Sequence, residues 1–287
     1  MAKSPGLYHC IGKKARDLLK NDYQRDQKFS FTTRSSSRVA ITASGTNKAG
    51  LFSGDVHTRF KTENVTTDFT VDTNSNLSAT VVVDEAAPGL KTILGFKVPD
   101  RRSGKLELQY LHDYMSICTS VGLTANPKVN FSGVIGTDFL ALGSDVSFDT
   151  KTRNFTKCNA AMSFANADLI AALTLDNKGD VLKGSFYHLV HPVTKLAVGA
   201  EMSHTFSTNN NTVIIGAQRI IDSRTIMKAR IDNLGKTSAV IQHEWRPKSF
   251  VTVCAEVDTR AIEKSAKFGL TVALMYGTKR QRRRQRS

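Results

Sequence analysis

From about residue 28 almost to the end of the chain, apolar and polar residues alternate one by one. In the segment 51–61, Phe52, Val56 and Phe60 would lie on one face of an extended strand and Arg59 on the other. The same two-residue period recurs in further segments: 64–73, 194–204 and 267–276. This period indicates β-strands with one apolar and one polar face.

Short clusters of turn-forming residues separate the alternating segments and predict tight hairpins. The clearest clusters are 46–50, 72–76, 99–104, 176–180 and 207–211. Dividing roughly 250 residues by about 13 for each ten-residue strand and its turn gives about nineteen strands. A sheet of that size must close or stack to hide its edges.

The apolar faces of the strands are modest, with Ala, Thr and Gly beside Val, Leu and Phe. The mean hydropathy is only −0.25, and no stretch approaches the roughly 20 apolar residues of a membrane-spanning helix. Strands that alternate between lipid and water give such averages. We therefore predict an all-β fold, a transmembrane β-barrel of about 19 strands. A soluble sheet protein is the alternative.

The first 25 residues differ from the rest of the chain. Apolar residues recur there at helical spacing: Leu7, Ile11, Ala15 and Leu18. Charged residues fill the other face: Lys13, Lys14, Arg16, Asp17 and Lys20. We predict three parts: an amphipathic helical segment at 1–25, the barrel at 26–276, and a basic, disordered tail at 277–287.

Neither catalysis nor metal binding finds support in the residues. The four cysteines are far apart and form no CxxC pair: Cys10, Cys118, Cys158 and Cys254. His188 and His191 would point to opposite faces of a strand. Fingerprints for nucleotide phosphates, dinucleotides and serine nucleophiles are absent. We expect no enzyme, no cofactor and no metal ion.

The chain is strongly basic, with a formal charge of +15. Such a field attracts nucleic acid, or anionic solutes and lipids, and charge alone does not choose between them. The N-terminus lacks the apolar core of a secretory signal, so we expect synthesis in the cytosol.

Four groups of residues carry a likeness to a known family. The first is Tyr8, Gly12, Lys13, Ala15, Arg16, Asp17 and Tyr23. The second lies in 221–241: Asp222, Ser223, Thr225, Ala229, Arg230, Ile231, Asp232, Asn233, Ser238, Ala239 and Ile241. The third is Gly89, Leu90 and Lys91, and the fourth is Lys267, Gly269, Val272 and Leu274. Over residues 7 to 276 the chain resembles the eukaryotic mitochondrial porins, the voltage-dependent anion channels. The spacing of the matching residues suggests a plant-type member of that family.

The resemblance implies a barrel with the N-terminal helix inside its lumen. It implies a voltage-gated, weakly anion-selective channel in the mitochondrial outer membrane, through which ATP, ADP, phosphate and ions diffuse. The partners it implies are membrane lipid, these anionic metabolites, the outer-membrane insertion machinery and further copies of the chain. Cytosolic kinases and RNA are open alternatives.

Basic residues on the polar faces are the candidate pore-lining residues, because positive charge lowers the entry barrier for anions. They are Lys13, Lys20, Arg59, Lys61, Lys91, Lys97, Lys228 and Arg230, with Lys28, Arg34 and Arg38 beside them. Lys13, Lys20 and Lys91 are the candidates for nucleotide contact.

Two departures from the family limit what the resemblance implies. Residues 21–26 replace the glycine-rich hinge of many animal relatives, and Phe69 stands where some relatives have a lipid-facing glutamate. Gating by helix motion about a hinge is therefore not expected. Two other functions stay open: a protein-translocating barrel of the same superfamily, and a soluble basic nucleic-acid-binding β protein.

Overall fold

A computed structural model describes residues 5–35, 38–48, 50–100, 102–260 and 266–277. A 3-10 turn, Tyr8–Cys10, and one short helix, α1 (Lys13–Leu19), precede the sheet. The first ten strands are β1 Gln27–Arg34, β2 Val39–Lys48, β3 Leu51–Lys61, β4 Val65–Asp72, β5 Leu77–Ala87, β6 Leu90–Val98, β7 Lys105–Leu111, β8 Met115–Gly122, β9 Lys128–Gly136 and β10 Leu140–Asp149. The others are β11 Asn154–Ala165, β12 Leu169–Asp176, β13 Val181–His191, β14 Leu196–Thr205, β15 Asn210–Asp222, β16 Thr225–Asp232, β17 Lys236–Arg246, β18 Ser249–Asp258 and β19 Lys267–Gly277.

The nineteen strands of the described residues form one closed sheet. Each strand pairs antiparallel with its neighbour in sequence, and β1 pairs with β19 in parallel, from Gln27 opposite Leu270 to Arg34 opposite Gly277. Parallel closure follows from the odd strand number, because strands that alternate in direction leave the first and last pointing the same way. The sheet has no free edge, which confirms the predicted barrel.

Large apolar side chains cover one face of the closed sheet. Phe52, Val56 and Phe60 are exposed on β3, as the alternation predicts, and elsewhere Ile135 and Phe268 are 67% and 68% exposed. Monomeric soluble proteins rarely expose a continuous apolar patch larger than a few hundred Å². This face is therefore the outer, lipid-facing one, and residues of the opposite parity line the lumen.

The N-terminal segment lies against the lumen-facing side chains, where the predicted helix is interrupted. Gly12 has φ +67° and separates the 3-10 turn from α1, which has seven residues. A Cβ at Gly12 would lie 3.1 Å from Ser185 Oγ, so the chain passes close to the wall here. The prediction of a helix in the lumen is confirmed; its α-helical part covers Lys13–Leu19, and Leu7 and Ile11 precede it.

The basic tail predicted at 277–287 lies, from residue 278 onward, outside the described residues. In the described part of the chain, no helix is both long and apolar enough to cross a membrane.

We expect Leu94→Arg, in the middle of β6, to lower the free energy of unfolding by about 2–4 kcal/mol, because it puts a charge against lipid. Ile93→Arg is the matched control, since the adjacent residue faces the lumen beside Glu107. Its cost should stay below about 1 kcal/mol. Urea unfolding in lipid vesicles measures both, and equal losses would contradict the assignment of faces.

Candidate functional site

Small residues on the lumen wall make room for the start of the N-terminal segment. Ile11 is buried among Val134, Ala141, Ala161 and Ala172, and the ring of Tyr8 packs against the same cluster. A Cβ at Gly143 would lie 2.9 Å from Tyr8 Cδ2 and 3.1 Å from Ile11 Cδ1. Larger side chains here would push the segment off the wall.

Helix α1 docks further along the wall, on β13 to β15. Leu18 and Leu19 are buried against Ala197, with Tyr187 and Ile214 beside them. Gly199 and Gly216 also face these leucines: a Cβ added at Gly199 would lie 3.5 Å from Leu18, and one at Gly216 would lie 2.8 Å from Leu19. Burying one such leucine side chain contributes about 1.5–3 kcal/mol, so apolar packing holds the helix in place.

The linker that follows α1 is held by a chain of polar contacts. Lys228 Nζ donates a hydrogen bond to Asp22 at 2.7 Å, and Arg230 donates one to the backbone oxygen of Leu19 at 2.6 Å. The guanidinium of Arg230 also lies 4.2 Å from the centre of the Tyr23 ring.

Arg25 extends the contacts of this linker to β18. Its guanidinium contacts the buried carboxylate of Glu256 through two nitrogens, at 2.5 and 2.9 Å. A charged residue buried at this depth requires such a partner. The segment 21–26, which lacks a glycine-rich hinge, is thus fixed to the wall along its length.

Burial against the wall also raises the pKa of the two tyrosines of the segment, Tyr8 and Tyr23. Burial, together with the carboxylates of Asp176 and Asp145, raises the pKa of Tyr8 to about 12. Burial raises the pKa of Tyr23 to about 12 against the opposing effect of Arg230. Both phenols therefore stay neutral at physiological pH, and the contacts of the segment gain no charge from them.

A cavity of about 590 Å³ lies beside the docked N-terminal segment and is lined by that segment and by β10 to β14. Its basic side chains are Arg16, Lys20, Lys157 and Lys183, and its acidic ones are Asp145, Asp176 and Glu201. Three of the four cations are paired there: Lys20 with Glu201, Lys157 with Asp145, and Lys183 with Asp176. Little net charge remains in this cavity for a ligand.

The predicted pore-lining residues fall into two groups. Five have protein partners: Lys20 with Glu201, Arg59 with Asp68, Lys91 with Asp84, Lys228 with Asp22, and Arg230 with Leu19 and Tyr23. Lys13, Lys61 and Lys97 make no side-chain ion pair within the described ranges. The wall does not bring the eight together, because they are spread from α1 to β16.

Sequence reasoning missed the acidic partners of these cations. Asp68, Asp84 and Glu201 lie on the lumen-facing parity of their strands, opposite the outward apolar residues, as does Glu256, the partner of Arg25. That parity was the available signal, but it does not say which acid meets which base, since this depends on strand register and on the path of the N-terminal segment. Asp22 lies between α1 and β1, outside any strand, so strand parity could not identify it as the partner of Lys228.

The described residues hold no group of three His, Cys, Asp or Glu side chains that could bind a metal ion. The sheet is closed, its outer band is apolar and its interior is charged. These features define a membrane-spanning channel of the porin class.

Comparison with known proteins gives the family. The family model described as "Eukaryotic porin" matches residues 4–269, so the chain belongs to the eukaryotic porins. The "Mitochondrial outer membrane protein porin of 34 kDa" of Solanum tuberosum is 66% identical over 96% of this chain and 99% of its own. The "Mitochondrial outer membrane protein porin 1" of Arabidopsis thaliana is 58% identical over the same shares. The "Outer plastidial membrane protein porin" of Pisum sativum is 59% identical, again over 96% and 99%.

Four predictions are thereby confirmed. The chain is similar to plant mitochondrial porins, its location is the mitochondrial outer membrane, it is a channel for metabolites, and it is not an enzyme. The barrel fold removes the soluble nucleic-acid-binding alternative. Likeness to porins over almost the full length favours the channel over the protein-translocating barrel.

We expect Gly143→Leu to displace the start of the N-terminal segment, because its side chain would overlap Tyr8 and Ile11. Hydrogen exchange of the peptide 8–19 should become faster, by mass spectrometry. Gly133→Leu, on the outer face of neighbouring β9, is the control and should change nothing in that peptide. Unchanged exchange in Gly143→Leu would contradict the packing described.

Proposed function

We propose that this porin conducts anions in preference to cations and that ATP, ADP and phosphate are among its substrates. The observation that carries the proposal is the group of lumen-side cations without an acidic partner in the described chain: Lys13, Lys28, Lys61 and Lys97. A paired cation adds little to the field at a distance, because its carboxylate cancels it. Unpaired cations give the lumen a positive potential, which raises the local concentration of anions.

Nucleotide contact is proposed for Lys13, Lys20 and Lys91. Lys13 is exposed on α1 and free to meet a phosphate. Lys20 and Lys91 are paired, at 2.6 and 3.1 Å, and each lysine side chain is more than a third exposed. The Lys91–Asp84 pair is exposed on both sides and contributes about 0–1 kcal/mol, so a passing phosphate can replace Asp84 at small cost. Glu201 is buried and needs its partner, so a phosphate would contact Lys20 while the Lys20–Glu201 pair stays intact. Such weak contacts suit a pathway that must release its solute.

We expect the double variant Lys13→Glu with Lys97→Glu to lower the ratio of chloride to potassium permeability at least about twofold. The measurement is the reversal potential of single channels in a planar bilayer under a salt gradient. Lys151→Glu with Lys248→Glu makes the same change of charge in hairpin turns and is the control, with a smaller expected effect because salt screens distant charges. Equal reversal potentials for wild type and the lumen variant would contradict anion selection by these lysines.

We further propose that the channel closes at high voltage while the N-terminal segment stays on the wall. The support is the fixed linker: Asp22, Tyr23 and Arg25 each contact a different lumen side chain. A swinging helix would have to break these contacts and expose Leu18 and Leu19 together. Voltage sensing then depends on charges of the wall and its pairs, not on a hinge.

A disulfide between Leu18→Cys and Gly199→Cys tests the gating proposal. A Cβ at residue 199 would lie 3.5 Å from Leu18 Cδ2, so the two side chains face each other, and mass spectrometry verifies that the disulfide has formed before the recording. We expect voltage-dependent closure to persist in the oxidised double variant, as in each single variant. Loss of closure that returns on reduction would show that the helix must move, and would overturn the proposal.

A further inference from the structure

A second charged cavity, of about 510 Å³, lies where β1, β2 and β3 meet their connecting turns. Its charged lining residues are Arg34, Arg38, Arg59, Lys61 and Glu63. Four cations thus face one acid. The cavity is separate from the part of the wall that α1 contacts, β13 to β15.

Strand register explains how this cavity forms. Ala40 of β2 pairs with Arg34 on one side and with Arg59 on the other, so the three residues lie in one row across the lumen face. Adjacent strands are about 4.8 Å apart, so the two arginine backbones are separated by roughly 10 Å. The methyl group of Ala40 leaves the space between the two long side chains empty.

The charges of this cavity are mostly uncompensated. Asp68 holds Arg59 through two hydrogen bonds, at 2.7 and 3.1 Å, and so fixes its guanidinium. Arg34, Arg38 and Lys61 make no side-chain ion pair with any described residue. The cavity beside α1 differs, because three of its four cations have acidic partners there. An anion therefore gains more at the cavity of β1 to β3 than at the cavity beside α1.

We infer that this cavity is a binding site for a dianionic phosphate group, held between Arg34 and Arg59 with Lys61 beside it. Guanidinium groups bind phosphate oxygens in pairs, and a fixed one needs less ordering on binding. Arg34, Arg59 and Lys61 belong to the lumen-facing parity, which favours a soluble phosphate compound over a lipid headgroup, although both carry the same chemistry. The inference deepens the proposed anion preference and rests on it, as a saturable site along that pathway.

The test is a titration of the full chain, refolded in uncharged detergent, with inorganic phosphate followed by phosphorus NMR. Arg34→Gln with Lys61→Gln removes charge, and Ala40→Leu fills the gap without changing charge. Each should raise the dissociation constant about tenfold. Lys48→Gln, at the far end of β2 and outside the cavity, is the control and should bind as wild type. Channel conductance verifies that each variant is folded.

A parallel arm distinguishes the source of the phosphate. The chain is extracted from phosphatidylcholine vesicles that contain phosphatidic acid, and the retained lipid is measured by mass spectrometry. Retention by wild type and not by Ala40→Leu, without saturable phosphate binding, would assign the site to a headgroup. No saturation with either probe, or equal binding by wild type and both cavity variants, would overturn the inference.

Reversal potentials keep this inference separate from anion selectivity. Ala40→Leu should lose phosphate binding while its reversal potential stays that of wild type. If Arg34→Gln with Lys61→Gln loses phosphate binding without any shift of the reversal potential, the anion preference fails at these residues and the binding site stands.

Discussion

Hydrogen bonding between β1 and β19 is the interaction on which the rest of the structure depends. In hydrocarbon an unpaired backbone amide or carbonyl costs several kcal/mol, and an open sheet would leave a full row of them at each edge. The eight residue pairs from Gln27 with Leu270 to Arg34 with Gly277 remove both edges at once. Because the strand number is odd, this contact has to be parallel, unlike the other strand pairs of the described sheet.

Closure gives the two faces of every strand different solvents. The outer side chains need only be apolar, so Ala, Val and Phe serve equally well against lipid. The inner side chains share a confined aqueous space, where bases and acids meet across strands. Glu201 and Glu256 show the result: both are buried by the N-terminal segment, and both are held by cations of that segment, Lys20 and Arg25.

Small residues decide where this lumen is filled. Ala172, Ala197 and Gly143 let the N-terminal segment lie close to one part of the wall. At β2, Ala40 has the same small size, but no described segment covers it, and a cavity remains between two arginines. The same feature of the wall thus supports a docked helix in one place and an open, positively charged site in another.

Much of the fold could be predicted from the sequence because the two-residue period is a local property. The outward orientation of Phe52, Val56 and Phe60 follows from the alternation within β3 alone, without knowledge of the neighbouring strands. The break at Gly12 could not be predicted, since it depends on the approach to Ser185, which is distant in sequence. The pairing of Arg59 with Asp68, and the row that joins Arg34 to Arg59 through Ala40, depend on strand register in the same way. The partners expected from the resemblance, such as insertion machinery, kinases, RNA and further copies of the chain, stay predictions.

Spin-label accessibility along β3, from Phe52 to Lys61, tests most directly that one face meets lipid and the other water. Single labels at each residue of the reconstituted channel are exposed to oxygen, which enters lipid, and to a water-soluble nickel chelate. In a closed barrel the two accessibilities should alternate out of phase with a period of two, with oxygen highest at residues 52, 54, 56, 58 and 60. Uniform protection from both reagents, as in a dry protein core, would contradict it.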